Sequence, residues 1–115
     1  MVANLYALKK YKHSTTSTFV LVVEPGNDAR LISVTAKFDV APTTSEDFTI
    51  VQRFADGGEY NTQLLVTDPS AASTTDIFWQ PDSEYLIEKD DSIRIAYTNT
   101  DARKLSVMVT MEVEQ

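Results

Sequence analysis

His13 is the one histidine in a chain of 115 residues that has no cysteine. Thiol chemistry and a disulfide framework are thereby excluded, and a histidine metal site of the kind barrels carry has only one ligand to offer. His13 lies beside lysines, outside the expected sheets, and pairs with no nucleophile in the sequence. Asp56-Gly57-Gly58-Glu59 is too short and too acidic to cradle phosphate, and no serine-elbow sequence is present. The residues assemble no catalytic constellation, so the chain reads as non-enzymatic and needs no cofactor.

Three other groups have chemistry to offer. Glu88, Asp90 and Asp91, joined in space by Asp101, would supply the hard oxygens that calcium takes, yet their spacing lacks the glycine and closing glutamate of a calcium loop. A solvated turn explains them, and no metal site is assigned. Trp79 and Tyr85, with Tyr60 and Tyr97, could stack on a sugar ring; Trp79 also sits in a short apolar strand, where aromatic side chains usually pack inward. Lys9, Lys10 and Lys12 come with Leu5, Tyr6, Leu8 and Tyr11, a basic and apolar set that could dock onto an acidic neighbour.

Charge sharpens that last reading. Net charge is −7, and the three lysines of the first thirteen residues face a remainder with seven basic and seventeen acidic residues. Such a body repels nucleic acid. No apolar run is long enough to span a bilayer, and residues 1–13 lack the apolar centre of a signal peptide, so a soluble product of a cytoplasm is expected. Residues 1–13 read as a mobile basic arm, and residues 14–115 as one domain large enough to bury a core.

The elements that must position these groups are strands. Leu105, Val107, Val109, Met111 and Val113 alternate with Ser106, Met108, Thr110 and Glu112, and Ile93, Ile95 and Tyr97 share one face of Ser92–Thr98. Asn99-Thr100-Asp101-Ala102 between them suits a reversal, so the two arms are expected to form a hairpin. Ile32, Val34, Ala36, Phe38 and Val40 form a second inward row. The run Phe19–Val23 has no polar alternation, which implies burial on both faces or pairing at an interface. Adjacent glycines at 57 and 58 turn Phe48–Phe54 into Tyr60–Thr67 as a hairpin. Short strands at Asp76–Trp79 and Tyr85–Ile87 bring the count to about eight. An all-β, two-sheet antiparallel sandwich of jelly-roll type follows, with an immunoglobulin-like sandwich and a closed barrel as alternatives.

Ala29-Arg30-Leu31-Ile32-Ser33-Val34-Thr35-Ala36-Lys37-Phe38-Asp39, the entry Thr74-Thr75 into Asp76-Ile77-Phe78-Trp79, and Asp91 to Asp101 together carry a resemblance. In strand order and texture, the region from Ala29 to Glu114 resembles small all-β virion proteins of tailed bacteriophages. The resemblance implies a jelly roll or related sandwich, made in the host cytoplasm, that decorates or cements the capsid. Its partner would be the major capsid protein or another virion protein, and the chain often a homotrimer. The alternative it leaves is a carbohydrate- or receptor-binding module of a phage tail, with Trp79 and Tyr85 at the site.

Overall fold

A computed structural model describes residues 5–115 and divides them into nine strands. They are β1 (Tyr6–Thr15), β2 (Phe19–Val23), β3 (Ala29–Phe38), β4 (Phe48–Arg53), β5 (Thr62–Thr67), β6 (Asp76–Trp79), β7 (Leu86–Ile87), β8 (Ser92–Tyr97) and β9 (Leu105–Glu114). All pairings are antiparallel. One sheet runs β1-β9-β3-β6, with β7 beside the start of β3; the other runs β2-β8-β4-β5. With two-residue β7 set aside, the remaining eight strands pass from sheet to sheet at every connection except the β4–β5 hairpin, in the order of a double Greek key, the jelly roll. The sandwich expected from the alternating segments is therefore present.

One-sided strands explain the core. Leu105, Val107, Val109, Met111 and Val113 of β9 are all buried, and they face Ile93, Ile95 and Tyr97 of β8 across the sandwich. Phe19, Phe38 and Phe48 fill the space between, with the Tyr97 ring edge-on to Phe38 at 5.4 Å. Each such side chain contributes about 1.5–3 kcal/mol by leaving water. Among the described residues no helix is long and apolar enough to cross a membrane.

Three expectations are corrected and a fourth is narrowed. β8 and β9 do not form a hairpin: β8 pairs with β2 and β4, β9 with β1 and β3. Thr98 to Lys104 instead carries the chain from one sheet to the other, helped by Asn99 and Ala102 at positive φ. Secondly, the inward row of β3 slips. A bulge between Leu31 and Ser33 leaves Ile32 unpaired, so Ala29 and Leu31 share the buried side with Val34, Ala36 and Phe38. Beyond the end of β3, Val40 is exposed.

Thirdly, Phe19–Val23 is not buried on both faces, which leaves the alternative of pairing at an interface. Phe19 and Val23 point inward, while Val20 and Val22 stand exposed on an edge strand. Lastly, the arm expected over residues 1–13 is mostly strand. β1 pairs with β9 without interruption from Tyr6–Glu114 to Thr15–Leu105, which adds a ninth strand and places His13 inside a sheet. Residues 1–4 of that stretch lie outside the described residues. The hairpin of β4 and β5 does form; Gly57 adopts φ 153°, a backbone that side chains rarely accept, before a single 3-10 turn at Gly58–Tyr60.

Candidate functional site

Because β1 is a strand, the six candidate binding residues within it are divided rather than pooled, and Leu5 falls just before it. Cross-strand partners share a face, so pairing with Glu114, Glu112, Thr110 and Met108 puts Tyr6, Leu8, Lys10 and Lys12 on the outer side of the five-stranded sheet. Lys9 and Tyr11, opposite Met111 and Val109, take the inner side, where Tyr11 packs half-buried against the core and Lys9 stays exposed at the rim. Leu5 precedes the strand, exposed, and its carbonyl accepts from Gln115 N at 2.8 Å. Lysines on an edge strand, one of them facing inward, oppose indiscriminate strand addition. His13 is exposed, its ring 5.3 Å from that of Phe19, and it meets no nucleophile.

Glu88, Asp90 and Asp91 stay together, lining one depression with Asp56, while Asp101 lies apart from them. Asp91 and Asp101 sit beyond opposite ends of β8 and do structural work there. Asp91 is buried and its Oδ1 accepts from Ala55 N at 3.0 Å, which ties the end of β4 to the start of β8. Asp101 accepts from the N–H groups of Thr43 and Thr44 and from both threonine hydroxyls, which holds its carboxyl well below the usual carboxylate range. The hydroxyls of Ser45 and Ser70 lower Asp68 in the same way. Among the described residues no three of His, Asp or Glu gather as metal ligands.

Trp79 and Tyr85 do come together. Trp79 pairs with buried Val34 and so faces inward from the edge strand β6, half-buried. With Leu64 and the Pro81–Tyr85 segment it lines a shallow depression at the side of the sandwich. The Tyr85 hydroxyl donates to Gln52 Oε1, and burial, then the Asp91 carboxylate, raises its phenol above the ordinary value. This geometry offers one aromatic wall and few polar groups aimed at a ligand.

The two outer faces are more extensive, and the sequence did not reveal them. On the four-stranded sheet, the register brings Val20, Ala96, Thr49 and Val66 into one row and Val22, Arg94, Val51 and Gln63 into the next. Val20, Val22 and Val66 are exposed, and no strand position in these rows is acidic, although Asp47 stands at the rim. On the five-stranded sheet, Arg30 is the central group. Its Nε lies 2.9 Å from Glu84 Oε1, its Nη1 3.7 Å from Glu112 Oε2, and its guanidinium 4.1 Å above the Tyr6 ring. These partly exposed pairs add little stability, but together they position the guanidinium between Glu84, Glu112 and the Tyr6 ring. Neither a protein-family model nor a curated protein sequence matches the chain.

Proposed function

We propose that this chain is a non-enzymatic structural protein of a tailed-bacteriophage particle. It is made in the host cytoplasm and joins the capsid through the outer face of its four-stranded sheet. The observation that carries the reading is that face: exposed valines on β2 and β5 surround Arg94, with no carboxylate at any strand position in these rows, on a chain that is otherwise acidic. An apolar, basic patch on an acidic body fits a protein surface that offers aliphatic groups and carboxylates, such as a neighbouring major capsid protein. The jelly-roll strand order, which capsid domains also use, supports the setting by analogy of fold, as does the resemblance in sequence texture.

Mass spectrometry of purified particles tests the setting, with the protein expected in many copies. Particles lacking it then test the face. Wild-type protein should bind them back, whereas Val22→Asp and Arg94→Glu should not, although both fold. Retained binding by both variants would move the contact elsewhere.

A second reading, a carbohydrate-binding module of a phage tail, is favoured by the shared depression of Trp79 and Tyr85. It requires sugar-dependent quenching of the single tryptophan that disappears in Tyr85→Ala.

A further inference from the structure

We propose that the outer face of the five-stranded sheet recognises a second copy of this chain, forming a dimer whose two-fold axis runs parallel to the strands between β9 and β3. The inference comes from the cross-strand registers and stands apart from the capsid reading. One row across the face, from β1 to β7, is Leu8, Glu112, Arg30, Leu86. Its order is apolar, acidic, basic, apolar. A two-fold parallel to the strands keeps each row level and reverses its order in the facing copy. Leu8 then meets Leu86 of the second copy, and Glu112 meets its Arg30, at both ends of the row alike.

Two further rows agree. Lys12, Met108, Thr35 and Phe78 form one, and reversal brings the Lys12 ammonium over the second copy's Phe78 ring while Met108 meets Thr35. Ser14, Ser106, Lys37 and Asp76 form the other, and reversal gives Asp76 and Lys37 a serine hydroxyl each. The other in-plane axis, across the strands, would lay β1 on β1 and set lysine against lysine. Stacked sheets cross at about 30°, so the fit is tightest beside the axis, at Glu112 and Arg30, and loosens toward the edges.

Exposure and area are consistent with this pairing. Leu8, Phe78 and Leu86 are each more than 60% exposed, a large apolar fraction to leave in water on one face. Arg30 is already fixed by Glu84 and Tyr6, so little ordering is lost when a second carboxylate arrives. The sheet's five strands, about 4.8 Å apart and rising about 3.3 Å per residue, cover roughly 570 Å² per copy, roughly 1,100 Å² together, just above the roughly 1,000 Å² a specific interface needs. A two-fold pair also differs from the homotrimer that the resemblance implies.

Sedimentation velocity on the full chain tests the stoichiometry. A concentration-dependent dimer is expected at micromolar protein. Phe78→Lys, which sets lysine against Lys12, should weaken it about tenfold or more, and K12E/F78K should restore it. Melting curves of both variants should match wild type, since Phe78 is exposed on an edge strand. Because the chain has no cysteine, a mixture of L8C and L86C chains treated with a short bis-maleimide should give cross-linked dimers, and neither chain alone should. A monomer at high micromolar concentration, a three-copy species, a dimer indifferent to Phe78→Lys, or equal cross-linking by either chain alone would overturn the proposal.

Discussion

Asp101 grips Thr44 twice: its Oδ2 accepts from the threonine N–H at 2.8 Å and its Oδ1 from the hydroxyl at 2.7 Å. The same Oδ2 takes Thr43 N at 2.7 Å, so one carboxylate pins the loop between β3 and β4 to the crossing between β8 and β9. Both connections pass from one sheet to the other, and this contact fixes them to each other at one end of the sandwich. Asp101→Ala should lower the melting temperature because it removes the acceptor for two backbone donors, and Asp101→Asn should lower it less. The pH dependence has a definite sign. A carboxyl held below its unfolded value of 3.8 contributes stability that is present above that value and lost as the pH falls below it. Acid unfolding followed by circular dichroism should therefore be shallower in Asp101→Asn; an unchanged acid limb would remove Asp101 from the account.

Tyr97 contributes to the alkaline limb, as the raised Tyr85 phenol also does. The Tyr97 hydroxyl is buried with no hydrogen-bond partner among the described residues. Burial first, then the carboxylates of Glu46, Asp101 and Asp68, push the phenol up to about 12 from 10.0. The folded state holds this proton more tightly than the unfolded chain does. Its contribution is fully present below pH about 10 and is lost as the pH climbs toward about 12. Tyr97→Phe keeps the ring against Phe38 and drops the orphaned hydroxyl, so near neutral pH it should be neutral or stabilising by about 1 kcal/mol. Alkaline denaturation should be shallower in the variant. A loss of stability at neutral pH would mean that the hydroxyl has a partner.

The bulge in β3 gives the most local test. Leu31 is buried and Ile32 is not, although the two are neighbours with similar side chains. Leu31→Ala should cost about 2–4 kcal/mol in urea unfolding, and Ile32→Ala less than about 1 kcal/mol. The reverse ranking would restore the uninterrupted inward row that alternation alone suggests.

That row shows what period two can convey. Alternation in Leu105 to Val113 identifies a half-buried strand and its inner face, and the structure keeps both. It carries no information about an extra residue, because Ala29-Arg30-Leu31-Ile32-Ser33-Val34 satisfies the pattern in either register until a partner strand is in place. Nor does it say which sheet a strand joins. β8 and β9 have the same one-sided pattern whether they pair edge to edge or face each other across a core, so a hairpin and a crossing look alike in sequence. The outer faces were illegible for a related reason. Val20, Val51 and Val66 are far apart in the chain and become neighbours only through the registers of β2, β8, β4 and β5.

β1 was hidden differently, and it supplies the last prediction. Tyr6, Leu8, Lys10 and Lys12 on one side and Ala7, Lys9, Tyr11 and His13 on the other are equally mixed, so neither face stands out as apolar and the segment reads as an arm. A mobile arm could be deleted without affecting stability. A ten-residue strand laddered to β9 could not: starting the chain at Ser14 uncovers the β9 edge and removes Tyr11 from the core. The truncated chain should lose at least about 2 kcal/mol in urea unfolding or fail to fold. Replacing only Lys9, Lys10 and Lys12 with glutamine separates strand from charge. That variant should stay within about 0.5 kcal/mol of wild type but aggregate faster on mild heating, because the edge has lost the charges that discourage strand addition. A truncated chain that melts with wild type would restore the arm, and a glutamine variant that aggregates no faster would leave the three lysines without a protective role at the edge.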